Sequence, residues 1–566
     1  MLRRHYALSL MLAVIASLIF VPRALNSIRG FDKSVSPASI NSQDKAIGVT
    51  GPHVITLAPW GPTQQMVDAA KAGVLRSPAV LKRMGTSRFR LISFVLIDGG
   101  KVNGNIVPPD SYLAVLFDYT HNLSYAATGR LEGSIVQVSP NSTQPIPSDE
   151  EFDAAVAVVS RHPKFGPGIA DGTFHVYAPM PPLVDENQPV GRVNRTLSVG
   201  LQSNDGSGSQ ILGVDMISET VVGYPNNAPT ASIATPSSCG VASSGGGSSS
   251  AGTYNLIISR AGVEIWNLVV VTPSISSGGV HNNGSGLEVQ NVNYRGQRVL
   301  TRGHIPILNV KYDSGCGPYR DWLNSQSNFT ANGSDLAPGI RLCTSPPQTI
   351  LESGTDAGNF SGVAIWDDRE NVQMVAEMSA GWYRYLMEWN FSDDGVIRPR
   401  FGFGSTSSSC VCINRNHHAY WRFDFDIGSA AGNLVTERLP NGPLVIDKEG
   451  MQPRLYGPNQ TWTISNSLSP LSCTLVPGPH DSNYDKYGTG DVWVVVNHSN
   501  ELDDGVNCTS GCSTSINIAP FVNGESTTNA DVVVWYGAHC NRFDASNPLN
   551  LIGDHVLGPD IVLKNY

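Results

Sequence analysis

The chain has 566 residues, of which 15% are charged, 57 are Gly and 37 are Pro. That length exceeds one small core and fits two to four domains, and the texture is that of a β-rich, loop-rich globular protein. The net charge of -10 leaves no basic footprint for nucleic acid and bears on little beyond solubility.

Arg3, Arg4 and His5 precede an apolar run from Tyr6 to Val21, "YALSLMLAVIASLIFV". Basic residues before a short hydrophobic stretch read as a secretory signal. The run is shorter than the roughly 20 residues of a comfortable membrane span. Pro22 and Arg23 follow at once, without a small-x-small cleavage site, so a cleaved signal peptide and an uncleaved signal-anchor both stand for residues 1–22. Residues 23–49 are polar and unpatterned and read as a linker. Asn-x-Ser/Thr sequons at Asn122, Asn141, Asn194, Asn283, Asn328, Asn332, Asn359, Asn390, Asn459, Asn497 and Asn507 fit a glycosylated protein of the secretory pathway, with its body outside the cytosol. In that setting the nine Cys read as disulfides plus one odd thiol, with pairings that sequence does not define. Cys410-x-Cys412 and Cys508-x3-Cys512 have the alternative reading of metal ligands.

Residues 50–140 read as a first small α+β domain. Pro62 and Thr63 open a helix with Met66, Val67, Ala70, Val74 and Leu75 at helical spacing, and Pro78 is expected to break it. The strand-like runs "RFRLISFVLI", "SYLAVLFDY", "LSYAATG" and "GSIVQVS" follow. Residues 146–232 repeat that order. "SDEEFDAAVAVVSRHP" is a helix with Ser148 and Glu151 in capping-box positions, and strands follow at "GTFHVYAPM", "RTLSVGLQS", "SQILGVDMI" and "ETVVGY". The Gly/Ser-rich segment 233–252 reads as a mobile linker. From 253 to 566 the chain consists of short alternating strands between turn residues, which indicates a large antiparallel β-sandwich.

Two stretches of the sandwich carry chemistry. "GWYRYLMEWNFSDDGVIRPRFGF", Gly381 to Phe403, is a hairpin whose first strand places Tyr383, Tyr385, Met387, Trp389 and Phe391 on one face. Its Asp-Gly is a turn signal, so Asp393 and Asp394 read as turn formers and not as a glycosidase pair. In "RNHHAYWRFDFDI", alternation places Arg415, His417, Ala419, Trp421 and Phe423 on one face and His418, Tyr420, Arg422, Asp424 and Asp426 on the other. His539 lies at the end of the β-type run "DVVVWYGAH".

By order and spacing the chain resembles the copper amine oxidases over nearly its whole length. The family's quinone strand corresponds to Trp382-Tyr383-Arg384-Tyr385, then Trp389, then Asp394-Gly395. Arg422 and Asp424 fix the register of its copper strand, and "WYGAHCNR" matches the strand that holds its third histidine. The resemblance implies two small cystatin-like α+β domains before a β-sandwich catalytic domain, and a homodimer. It implies copper(II) and topaquinone formed from Tyr383, with His417 and His539 as copper ligands. The implied reaction is oxidative deamination of a primary amine by O2 to aldehyde, ammonia and hydrogen peroxide. A carboxylate base is required to reach the bound imine, and Asp321 in "GPYRDW" or Asp313 in "KYDSG" can fill that place.

The chain departs from the pattern at two positions. Arg415 stands where the first copper histidine belongs, and a guanidinium has no lone pair to offer. His418 turns inward in its stead only if a bulge shifts the strand by one residue. Arg384 stands where the residue after the quinone is usually an acid. Arg415→His is expected to complete a same-face His-x-His pair. Three functions follow: an active copper- and topaquinone-dependent amine oxidase, a secreted glycoprotein of the same fold that lost this catalysis and acts by binding or as a structural protein, and an altered enzyme that uses the pocket without copper.

Overall fold

The computed structural model describes residues 51–97, 99–141, 145, 147–178, 194–203, 209–222, 239–244, 247, 250–277, 283–313, 319–487, 490–502, 518–540 and 556–566. The signal and linker expected over 1–49, and Asn507, Cys508 and Cys512, lie outside them. Among the described residues no helix is long and apolar enough to cross a membrane.

Most of the chain is antiparallel sheet. A ten-stranded sheet runs in the order 53–59, 253–260, 263–271, 288–294, 297–312, 415–425, 532–540, 492–496 and 450–452, with 319–320 paired to 297–312. An eleven-stranded sheet runs 333–337, 340–343, 363–367, 371–380, 383–392, 396–405, 560–564, 472–476, 461–466, 433–439 and 442–446. Alternating apolar side chains from both sheets form one core, as expected where each sheet must cover an apolar face. Trp389 and Trp421, one from each sheet, meet edge to face at 5.5 Å.

Two four-stranded sheets precede the sandwich. Helices Gln64–Arg76 and Pro78–Met84 pack on the first, through Ala70, Val74, Val80 and Met84 against Tyr112, Ala114, Leu116 and Ala127. Pro78 does not merely end a helix. It opens a second one, at the position where its missing N–H costs nothing. Helix Asp149–Ser160 packs on the second sheet through Ala155, Val158 and Val159. Ser148 caps it by accepting from the Glu151 amide. The Glu151 carboxylate does not close the expected capping box. It is buried and takes Arg195 Nε at 2.9 Å and the Tyr119 hydroxyl at 2.5 Å, so an arginine of the second module and a tyrosine of the first meet on one carboxylate.

Two further departures concern the joints. His53–Pro59, expected within the first small domain, is a strand paired over seven residues with Tyr254–Arg260 of the strand Thr253–Arg260, so it belongs to the ten-stranded sheet. The described part of the Gly/Ser segment is stitched to the sandwich. Cys239 is disulfide-bonded to Cys412, Val241 and Ser243 bridge to Thr406 and Asp356, and the Ser244 amide donates to Asp356 at 2.9 Å. A run too polar to build a core still satisfies its backbone groups on an existing one. Cys410 is also disulfide-bonded, so the pair Cys410-x-Cys412 is not a metal ligand set.

Charged side chains hold these joints. Lys101, on a hairpin of the first module, places its ammonium 3.0 Å from Asp424 and 2.8 Å from Asp426 and Asp531. Burial pushes the Asp531 carboxyl up to about 7, with its acidic neighbours adding to the effect and Lys101 opposing it. Removing one partner of a buried ion pair leaves uncompensated charge. Lys101→Met is therefore expected to lower stability by about 3 kcal/mol at neutral pH. The loss should be smaller near pH 5.5, where the acids take up protons, and denaturant titration at both pH values measures it.

His53 holds the first strand. Its Nδ1 lies 2.6 Å from Asp367 and its Nε2 2.7 Å from Asp393. Burial opposes the charged ring, but the carboxylates of Asp393 and Asp367 outweigh it and raise the His53 pKa above 6.5. Its contribution is therefore complete below the unfolded value and is lost as pH rises through the folded one. Amide exchange of His53–Pro59, corrected for intrinsic rate, is expected to accelerate above neutral pH in the parent chain and to lose that dependence in His53→Gln.

Candidate active site

Tyr383 opens the strand Tyr383–Ser392, directly after a two-residue turn from Ala380. Gly381 holds φ 56° there, at the place where a type II′ hairpin needs glycine. The aromatic face expected of this strand is the core face: Tyr383, Tyr385, Met387, Trp389 and Phe391 are all buried in the sandwich. The Tyr383 hydroxyl lies 2.5 Å from that of Tyr312, which also accepts from Trp382 Nε1 at 3.2 Å. The His417 ring stands edge-on to Tyr383 at 4.7 Å, and Phe403 stacks on His417 at 3.5 Å. Burial pushes the Tyr383 phenol up to about 12, with Arg415 and the Tyr312 hydrogen bond pulling it back.

Asp321 enters this cluster beneath Tyr385. The Tyr385 hydroxyl donates to Asp321 Oδ2 and sits 3.3 Å from His417 Nε2. A hydroxyl with its one proton committed to Asp321 can only accept from His417, which fixes the proton on Nε2 and leaves Nδ1, without a hydrogen-bond partner, as the lone-pair nitrogen. Burial raises Asp321 to about 7, opposed by the Tyr385 hydrogen bond and by Arg320. Asp321 Oδ1 also has no hydrogen-bond partner. The arrangement is a buried acid poised near neutrality, one bond from a tyrosine that stacks on Tyr383 at 5.4 Å.

The remaining sequence-derived positions separate. Arg415 lies beside Tyr383, its guanidinium carbon 5.5 Å from the ring, and it donates to the carbonyls of Val411 at 2.5 Å and Ile413 at 3.3 Å. Arg384 pairs with Asp356 through both carboxylate oxygens, at 2.5 and 3.0 Å. Asp313 is exposed, and its amide bonds the Asn414 carbonyl across the end of the strand pair. His539 is placed directly opposite His418 in the strand pair, and their rings are 4.9 Å apart. Directly opposed residues share a face and adjacent residues do not. His539 therefore lies on the sheet face away from His417 and Tyr383, where its Nε2 bonds Asp491. The expectation that His417 and His539 share one coordination shell beside Tyr383 is not what the structure shows. No bulge turns His418 inward either: it bonds Asp485 at 2.9 Å on the outer face.

Among the described residues, three imidazoles are thus not assembled at Tyr383. Of the expected ligands only His417 faces it, and Arg415 adds a positive charge where a divalent cation would sit. The described residues beside Tyr383 do not fit a three-histidine copper centre. Tyr312 was not singled out from the sequence, and Tyr385 was placed on the aromatic face and in the quinone-strand match without a role of its own. Tyr312 immediately precedes Asp313 in "KYDSG", and it faces Arg415 across the strand pair.

No family model and no curated protein matches the sequence. Solved structures do match the fold. A copper-containing benzylamine oxidase from Hansenula polymorpha aligns with a TM-score of 0.57 at 12% identity, over 89% of this chain and 97% of its own. A lysyl oxidase from Pichia pastoris aligns with a TM-score of 0.53 at 12% identity, over 90% of each chain. The likeness is one of fold, and it spans nearly the full length of both proteins.

Between pH 3.8 and about 7 the folded chain holds a proton on Asp321 that the unfolded chain releases. Stability should fall as pH rises through that window. Asp321→Asn is expected to flatten the decline and Tyr385→Phe to steepen it by removing a hydrogen bond from the carboxylate. Urea unfolding at pH 5 and pH 8 distinguishes the three proteins.

Proposed function

We propose that this chain is a secreted glycoprotein on the copper-amine-oxidase fold that keeps the tyrosine half of the oxidase centre and lacks its copper half, and that it acts by binding and not by copper- and topaquinone-dependent oxidation. One observation carries this reading: His417 and His539 occupy opposite faces of the ten-stranded sheet, with Arg415 in the remaining place beside Tyr383. The secretory part rests on the basic and apolar N-terminal segment and on the density of sequons.

A second reading, a primary amine oxidase acting on an amine and O2, draws on the other half of the site. The Tyr312–Tyr383 hydroxyl pair and a buried Asp321 held near neutrality supply a proton-handling group close to Tyr383. That reading requires copper donors that the described residues do not bring there.

Purification in excess copper separates the two. The parent protein is expected to give no quinone in a redox stain and no visible quinone absorbance. Arg415→His places two imidazoles on the Tyr383 face and is expected to gain copper affinity of at least about tenfold, since copper(II) binds nitrogen donors tightly. It should still form no quinone, because His539 stays on the far face. Full quinone in the parent protein establishes the oxidase reading instead.

A further inference from the structure

We propose that His418, Asp485 and His539 form a divalent-metal site, suited to zinc, on the outer face of the ten-stranded sheet. Each offers a ligand atom, and those atoms lie within 4.8 Å of one another. The site is not the three-imidazole centre that the family resemblance implies. It shares only His539 with that set, includes a carboxylate, and lies across the sheet from Tyr383. It does not depend on how the Tyr383 site is read.

The two histidines come from neighbouring strands and are wholly buried. Asp485 comes from the loop after Ser472–Val476 and keeps 16% of its side chain exposed, which gives an ion a way in. His539 Nε2 is held by the buried Asp491 carboxylate. A carboxylate behind an imidazole orients it and leaves the opposite nitrogen as donor. That nitrogen, His539 Nδ1, is buried without a hydrogen-bond partner, while His418 turns its Nε2 to Asp485. Tyr487 lies flat on His418 at 3.8 Å and 14°, fixing the ring plane.

A simple buried ion pair accounts for only part of this. His418 Nε2 and Asp485 satisfy each other at 2.9 Å, but a pair needs no second histidine beside it and does not explain the orphaned Nδ1 of His539, which is costly to bury. A metal uses it. Two imidazoles and a carboxylate, with a fourth place for water, is a zinc set, and Asp485 and Asp491 together balance the charge of a divalent ion. The ion would fasten the loop to both strands. Asp481 of the same loop already ties it to one of those strands, accepting from the Tyr536 hydroxyl at 2.6 Å, and also accepts from the Gly558 amide at 2.7 Å.

The test uses the full chain stripped of metal and titrated with zinc by calorimetry, with thermal unfolding recorded alongside. The parent is expected to bind one zinc ion and to unfold at a temperature several degrees higher when loaded. Asp485→Asn, a conservative change at a partly exposed position, and His418→Ala are each expected to weaken binding by about 10- to 100-fold or more, and His417→Gln to leave it unchanged. Circular dichroism of the metal-free variants confirms folding. Zinc lost in His417→Gln but kept in Asp485→Asn would place the ion beside Tyr383 and overturn the proposal. No uptake by the parent, or equal loss in all three variants, also overturns it.

Discussion

Side-chain parity along one strand pair decides what this protein can do. In Arg415–Phe425 and Val532–Cys540 the residues Ala419, Trp421, Phe423, Phe425, Val532, Val534, Tyr536 and Ala538 point into the main core. Tyr420, Val533 and Trp535 point the other way, into a separate cluster with Ile307 and Trp493. A one-residue slip of the first strand would reverse its whole set and drive Arg422, Asp424 and Asp426 into an apolar interior, at several kilocalories per mole for each unpaired charge. The register is therefore fixed by packing far from the histidines. Once it is fixed, His417 must face Tyr383 and His418 must face His539.

Much of this was legible from the residues. The alternation of "RNHHAYWRFDF" sets Ala419, Trp421 and Phe423 against Arg422 and Asp424 on the other side, so its core face could be assigned, and the aromatic face of Tyr383–Ser392 likewise. The two-sheet sandwich and the small α+β modules followed from the same periodicities. The face of His539 was not legible. "DVVVWYGAHC" is apolar at consecutive positions because both faces of that strand are covered, and a two-sided strand carries no alternation from which parity can be read. Similarity of order places His539 at a position in the chain and is silent about the side of the sheet. Asp485 and Asp491 were missed for a different reason: they lie in and just after a polar loop whose docking on the outer face depends on tertiary contacts.

The joints between modules follow another rule. The sequence texture suggested separate domains joined by linkers, but the folded chain spends buried charge at the seams. Glu151 takes Arg195 and Tyr119, Lys101 reaches three aspartates of the sandwich, and His53 lies between Asp367 and Asp393. Such groups add little net stability when whole but cost much when one partner is lost. They favour one relative placement of the pieces over alternatives that apolar contact alone would tolerate.

The surroundings of Arg415 weigh against one added imidazole assembling three histidines beside Tyr383. Its guanidinium is part of the local fold, bonded to the carbonyls of Val411 and Ile413 and set over the Tyr383 ring. Those carbonyls belong to the short turn that carries Cys412 and its disulfide to Cys239. The positive charge a metal would bring to Tyr383 is supplied by a side chain that also holds this turn. An imidazole at 415 would offer a donor to copper but would take the Arg415 donors from both carbonyls, and the third ligand would still be behind the sheet. A turn, a cation and the parity of a strand thus all stand against a three-histidine arrangement beside Tyr383, while the hydroxyls of Tyr312, Tyr383 and Tyr385 hydrogen-bond one another or Asp321.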